Sequence, residues 1–180
     1  KKTRDKLLPP IRLLRTVDLH YMNAEKDDLA DAYFVNDVEK NYAFLWAAFT
    51  GNIELMQRLH QEGADVNFTY PGERLNALHL SALCGSVECT RWLLKEGCQV
   101  ANTSDGLSPL HFAVLGNSQR ICRYLIESGC RIDPTALHVA VQANSLGCVE
   151  YLLELQVPVN GYDEAGMTPL HIASDIGNAY

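Results

Sequence analysis

No stretch of the 180-residue sequence approaches the roughly 20 consecutive apolar residues that a membrane-spanning helix requires; each apolar run is short and broken by polar residues. An N-terminal secretion signal is lacking too, since 1-KKTRDKLLPP-10 sets prolines where an apolar core would stand. The motifs that build common nucleotide and hydrolytic sites do not occur: there is no G-x-x-x-x-G-K-[ST], G-x-G-x-x-G, H-E-x-x-H or G-x-S-x-G. Carboxylate pairs such as Asp27-Asp28 and Asp163-Glu164 fall in polar stretches that read as solvated surface. The expectation is therefore a non-enzymatic chain with no catalytic residue, cofactor, metal or small-molecule substrate. Positive charge is scarce beyond the first fifteen residues. Lys1, Lys2, Arg4, Lys6, Arg12 and Arg15 against Asp5 give that arm about +5, which with a net charge of −7 leaves about −12 for the rest. An acidic body disfavours nonspecific nucleic-acid binding. The basic arm reads most simply as a solvated leader, with contact to an acidic partner or an anionic membrane as the weaker alternatives.

What is present is the composition of a folded domain, 47% hydrophobic and 21% charged. With no signal or span, the expected location is cytoplasmic or nuclear, and a chain that starts without Met reads as a fragment. Four of the six histidines follow a leucine, as Leu78-His79, Leu110-His111, Leu137-His138 and Leu170-His171, at intervals of 32, 27 and 33 residues. Such spacing means either an array of ligands or a copied structural unit. Alignment on the pairs favours the unit. The segments 76-NALHLSALCGSVECTRWLLKEGCQV-100, 108-SPLHFAVLGNSQRICRYLIESGCRI-132, 135-TALHVAVQANSLGCVEYLLELQVPV-159 and 168-TPLHIASDIGNAY-180 share columns, and 44-FLWAAFTGNIELMQRLHQEGADV-66 is a copy with Leu45 in the histidine column.

The columns predict helix, turn, helix. Asn76, Ser108, Thr135 and Thr168 stand three residues before each histidine as N-cap candidates, and Pro109 and Pro169 follow at the first helical position. A turn position (Gly51, Gly85, Asn117, Asn144, Gly177) precedes a second amphipathic segment with Leu59, Leu93, Leu125 and Leu152 in register. Gly63, Gly97 and Gly129 close the second helix in the left-handed conformation; Gln156 breaks that column, so a different ending is expected there. Polar stretches 67–75, 102–107 and 160–167 separate the units.

A unit of this length with T-P-L-H, a turn, a leucine-rich helix and then G-A-D-V-N resembles the ankyrin repeat. The likeness is strongest in 168-TPLH-171, 63-GADVN-67 and 108-SPLH-111, and it covers residues 42–180. The implied architecture is all-α: an α-solenoid of stacked helix-turn-helix repeats with short β-hairpin-like loops, about four and a half repeats with the last truncated. Residues 1–41 form a leader or capping segment, in which 30-ADAYFVND-37 is a decayed cap. The resemblance implies that the histidine bonds through its ring to backbone of the adjoining turn. Geometry agrees, because packed helices lie about 8–10 Å apart while zinc draws its nitrogen ligands to about 2 Å from one point. The cysteines follow packing columns and read as small buried residues, with Cys84 alone on the partner-facing side. Trp46 and Trp92 also stand in packing columns.

By the same resemblance, a partner protein binds the concave face formed by loop tips and first-helix ends. The residues carried over are Phe49, Tyr70, Glu73, Arg74, Leu83, Asp105, Leu107, Leu115, Gln142, Tyr162, Glu164, Met167 and Asp175. With only 131-RIDPT-135 between two helices, one hairpin should be missing, leaving a notch beside Gln142 and Ala143. At the far end, half a repeat exposes its apolar face, so the expectation is that either the chain continues or something covers Ile172 and Ile176. The functional expectation is a scaffold or adaptor. The alternatives are the substrate-recognition arm of a SOCS-box-type ubiquitin ligase and a regulatory or targeting module of a larger enzyme such as a GTPase activator.

Overall fold

The computed structural model describes residues 36–177, and among them lie nine α-helices and one short hairpin. They are α1 (Asp37–Thr50), α2 (Ile53–Gln61), β1 (Thr69–Tyr70), β2 (Leu75–Asn76), α3 (Ala77–Leu83), α4 (Val87–Lys95), α5 (Pro109–Leu115), α6 (Gln119–Glu127), α7 (Ala136–Gln142), α8 (Leu146–Glu154) and α9 (Pro169–Asp175). Helices pair as α1/α2, α3/α4, α5/α6 and α7/α8, with α9 opening a fifth unit. The chain is an all-α repeat solenoid, as expected. The segment 30–35 of the cap remnant lies outside the described residues.

Local chemistry sets the helix ends. Asn36 Oδ1 accepts the Glu39 amide at 2.8 Å and Asn52 Oδ1 that of Leu55 at 3.0 Å, each satisfying an otherwise unpaired first-turn donor. The turn column is left-handed throughout: φ is 70° at Gly51, 78° at Gly85, 51° at Asn117, 55° at Asn144 and 72° at Gly177. The expected different ending at Gln156 does not occur. Gln156 adopts φ 57°, and Val157 N–H reaches Leu152 O at 3.2 Å just as Cys130 N–H reaches Leu125 O at 2.9 Å. Packing of the next residue into the core overrides the local cost of a left-handed side chain, about 1–2 kcal/mol.

The core is one column repeated. Leu59, Leu93, Leu125 and Leu152 are wholly buried, each worth about 1.5–3 kcal/mol relative to exposure. A unit shares its apolar face only with its neighbours, so stability propagates along the stack. First helices (α1, α3, α5, α7, α9) pack on one another more closely than second helices (α2, α4, α6, α8) do. Among the glycines the closest approach is at Gly116, where an added Cβ would lie 2.3 Å from the Leu83 carbonyl oxygen. Side-chain links bridge the same row: Ser145 Oγ donates to Val114 O at 2.7 Å, and Cys84 Sγ lies 3.4 Å from Ala48 O. Close packing of one row makes it the inner, concave side.

The loops form fingers. In the first, Thr69 pairs with Asn76 and Tyr70 with Leu75 around a tip where Gly72 (φ 85°) and Arg74 (φ 54°) are left-handed. The next is a turn closed by Thr103 N–H to Leu107 O at 2.9 Å, and it joins the first through Ser104 N–H to Glu73 O at 2.9 Å. A like turn, Asp163 N–H to Met167 O at 2.9 Å, precedes α9. No strand or finger forms over 131–135. There Thr135 departs from its expected N-cap role: its backbone is helical (φ −81°, ψ −10°), and Asp133 accepts both its amide at 2.7 Å and its hydroxyl. A five-residue connection has no room for the extended residue that a cap requires.

Candidate functional site

The histidine column completes helix N-termini. Each ring stands at the third helical position, and in three of the four Nδ1 accepts the cap amide: Asn76 N–H to His79 at 3.3 Å, Ser108 N–H to His111 at 3.1 Å and Thr168 N–H to His171 at 3.2 Å. His138 Nδ1 has no hydrogen-bond partner among the described residues, because the Thr135 amide donates to Asp133. The other ring nitrogen reaches toward the next loop. His138 Nε2 donates to Gly161 O at 3.0 Å and Met167 O at 3.1 Å. His79 lies against the corresponding carbonyls, Ala101 and Leu107, but without a well-aligned hydrogen bond. His111 faces the shortened connection instead, with Thr135 Oγ1 at 3.1 Å and Asp133 Oδ1 at 3.9 Å. The expected backbone bond is thus replaced at His111 by side chains, because the finger that would supply carbonyls is missing.

Burial dominates the electrostatics. It pushes His79 down from 6.5 to about 4, and it lowers His111 too, with Asp133 pulling the other way. Burial works to raise Asp133, but the hydroxyl and amide of Thr135, with His111 and His138, outweigh it and hold the carboxyl low. All six cysteines are free, five of them buried. Cys122 and Cys148 bring their sulfurs to 3.7 Å across adjacent repeats, and the thiol bond to Cys148, with burial, pushes Cys122 up. Cys84 is the exposed residue, yet its sulfur nestles against backbone and burial raises it, the opposite of an activated thiolate.

The carried-over residues sort by exposure. Phe49, Leu83, Leu115, Gln142 and Asp175 each stand four residues after the histidine column, at or near the end of a first helix; the first four are half-buried and Asp175 is exposed. Tyr70, Leu107 and Met167 are half-buried at the fingers and pack on the core, Tyr70 edge-on to Tyr42 at 5.8 Å. Glu73 is half-buried, while Arg74, Asp105 and Glu164 are exposed. Tyr162 is 72% exposed. At the far end Ile172 is 7% exposed because α9 packs on α7, which covers it, while Ile176 (42%) and Leu170 (77%) are exposed apolar residues.

Sequence columns did not anticipate the outer side. Trp92, placed in a packing column, is half-buried between the rings of Phe44 and His60 and turns part of its indole toward a groove of about 460 Å³ rimmed by Arg91, Lys95 and Arg120. The signal was the spacing of Val87, Arg91 and Lys95, one helical turn apart on an exposed face.

No curated protein matches this chain at a significant level. A family model for ankyrin repeats, in three copies, matches residues 44–135 and 128–179. Capping histidines, left-handed turns, paired helices and fingers repeat over that span, and the chain belongs to the ankyrin-repeat family, whose members generally serve as protein–protein interaction modules.

Proposed function

We propose that this chain is a scaffold or adaptor that binds a partner protein through its concave face and performs no chemistry of its own. The observation carrying this reading is the stripe four residues after the histidine column. It runs from apolar Phe49, Leu83 and Leu115 to polar Gln142 and Asp175 without being fully buried by the stack. Such half-exposed apolar side chains with a polar flank are what interface cores are built from. The fingers extend the stripe with Tyr70, Leu107, Tyr162 and Met167, and the charged Glu73, Arg74, Asp105 and Glu164 supply a rim.

The test is affinity capture with residues 1–180 beside a Tyr70→Ala, Tyr162→Ala, Met167→Ala bait, bound proteins being identified by mass spectrometry. Partners lost from the variant support the concave site; identical sets on both baits move binding elsewhere. For a captured partner, Tyr162→Ala with Met167→Ala should weaken binding by about tenfold or more at an unchanged melting temperature, since Tyr162 is exposed and Met167 only half-buried. Unchanged affinity removes this end of the surface from the site.

A further inference from the structure

The acidic character of the chain makes the outer groove unusual. Residues 36–177 carry eight lysines and arginines against sixteen aspartates and glutamates, yet three of those eight cations converge on this one feature. Arg91 and Lys95 project from successive turns of α4, and Arg120 comes from α6 in the next repeat. Among the described residues, Glu88 is the one carboxylate on the groove's lining and no ion pair involves Arg91, Lys95 or Arg120. The Arg91 guanidinium lies 5.1 Å from the Tyr124 ring centroid, which orients it without neutralising it.

The floor is apolar. Trp92 is met edge-on by His60 at 5.3 Å and at a tilt by Phe44 at 6.3 Å, so its indole is braced as a platform, flanked by Val87 and Ile53. Beyond the indole a second hollow of about 360 Å³ begins, shared through Gln57 and Trp92 and bordered by Glu96. The groove is therefore polarised, cationic toward Arg120 and negative toward Glu96. A braced aromatic surface beside unpaired cations is complementary to carboxylates carried next to an apolar side chain.

We propose that this groove between α2, α4 and α6 docks an acidic peptide segment of a partner protein, its carboxylates meeting Arg91, Lys95 and Arg120 and an apolar side chain resting on Trp92. The surface belongs to the second helices and so is separate from the concave face. It gives the chain a second attachment point, consistent with a protein that holds two others together.

The experiment uses the full chain and a capped heptapeptide of glutamate and aspartate with a central phenylalanine, beside its glutamine/asparagine counterpart. Binding is read by calorimetry and by tryptophan emission at about 50 and 200 mM salt. The acidic peptide should bind at least tenfold more tightly than the amide peptide, shift the emission and weaken with salt as exposed charge contacts do. Lys95→Glu with Arg120→Glu, both exposed, should abolish that preference at an unchanged melting temperature. Binding that survives the double reversal belongs to the basic segment 1–15 and overturns the assignment. So does an acidic peptide that binds no better than its amide form, an outcome readable on the wild-type chain even if the variant fails to fold. A single-stranded oligonucleotide of equal charge that binds more tightly than the peptide would make the groove a polyanion site and equally overturn it.

Discussion

Acid should destabilise this protein through a histidine that resists protonation in the native state. His79 is wholly buried, lies edge-on to Phe112 at 4.9 Å and spends Nδ1 on the cap amide of its own helix. Burial pushes its pKa from 6.5 to about 4, the carbonyls of Leu107 and Ala101 offsetting this only in part. Because the folded pKa lies below the unfolded one, the native state binds the proton less well. Its contribution is complete above about pH 6.5 and is lost as pH falls through 6.5 toward 4. At about 1.4 kcal/mol per pH unit, that window removes roughly 3 kcal/mol, a large part of the roughly 5–15 kcal/mol that holds a domain folded. Urea unfolding of wild type and His79→Gln between pH 7 and 4.5 isolates the effect, since glutamine does not titrate and the carboxylates common to both chains cancel in the difference. The variant should be less stable by about 1–2 kcal/mol at pH 7, and its deficit should shrink and then reverse as the pH falls. A difference that stays constant to within about 0.5 kcal/mol across the range would refute the argument, because it would mean that His79 charges as easily folded as unfolded.

Three further outcomes can be checked by the same unfolding measurement at pH 7. Gln156→Gly should raise stability by about 0.5–1 kcal/mol, since φ 57° suits glycine and the relief exceeds its extra unfolded-state entropy; no gain would mean that the Gln156 side chain contributes packing. Gly116→Ala should cost about 1–3 kcal/mol, as its Cβ would meet the Leu83 carbonyl at 2.3 Å, whereas Gly147→Ala, 3.7 Å from the Gln119 side chain, should be neutral or stabilising by about 0.5–1 kcal/mol. Equal effects at the two glycines would show that the inner row is less tightly packed than described. His111→Ala should lower stability by about 1–2 kcal/mol by orphaning the cap of α5 and Thr135, and an unchanged midpoint would argue against the structural role of the column.

Repeat columns were legible because each unit solves the same local problem. A capping residue, a histidine three positions on, a left-handed turn and a buried leucine recur at fixed offsets, and these are short-range demands of backbone hydrogen bonding and burial. They determined the helix pairs, the stacked architecture, the absence of a finger at 131–135 and the burial of the cysteine columns. What local pattern could not show were the cases where a neighbour outvotes it. Gln156 takes a glycine's conformation because Val157 must reach the core, and Thr135 gives up its cap to Asp133 because the connection is too short. Ile172 is covered by α7, although a half repeat alone would leave it bare. The outer groove is the clearest case. Arg91 and Lys95 share a helix face in the sequence, but Arg120 is contributed by the following repeat and Trp92 is turned by Phe44 and His60 from its neighbour. Those residues meet only when helices of successive units lie side by side, and the spacing of packed helices, rather than any motif, decides that meeting.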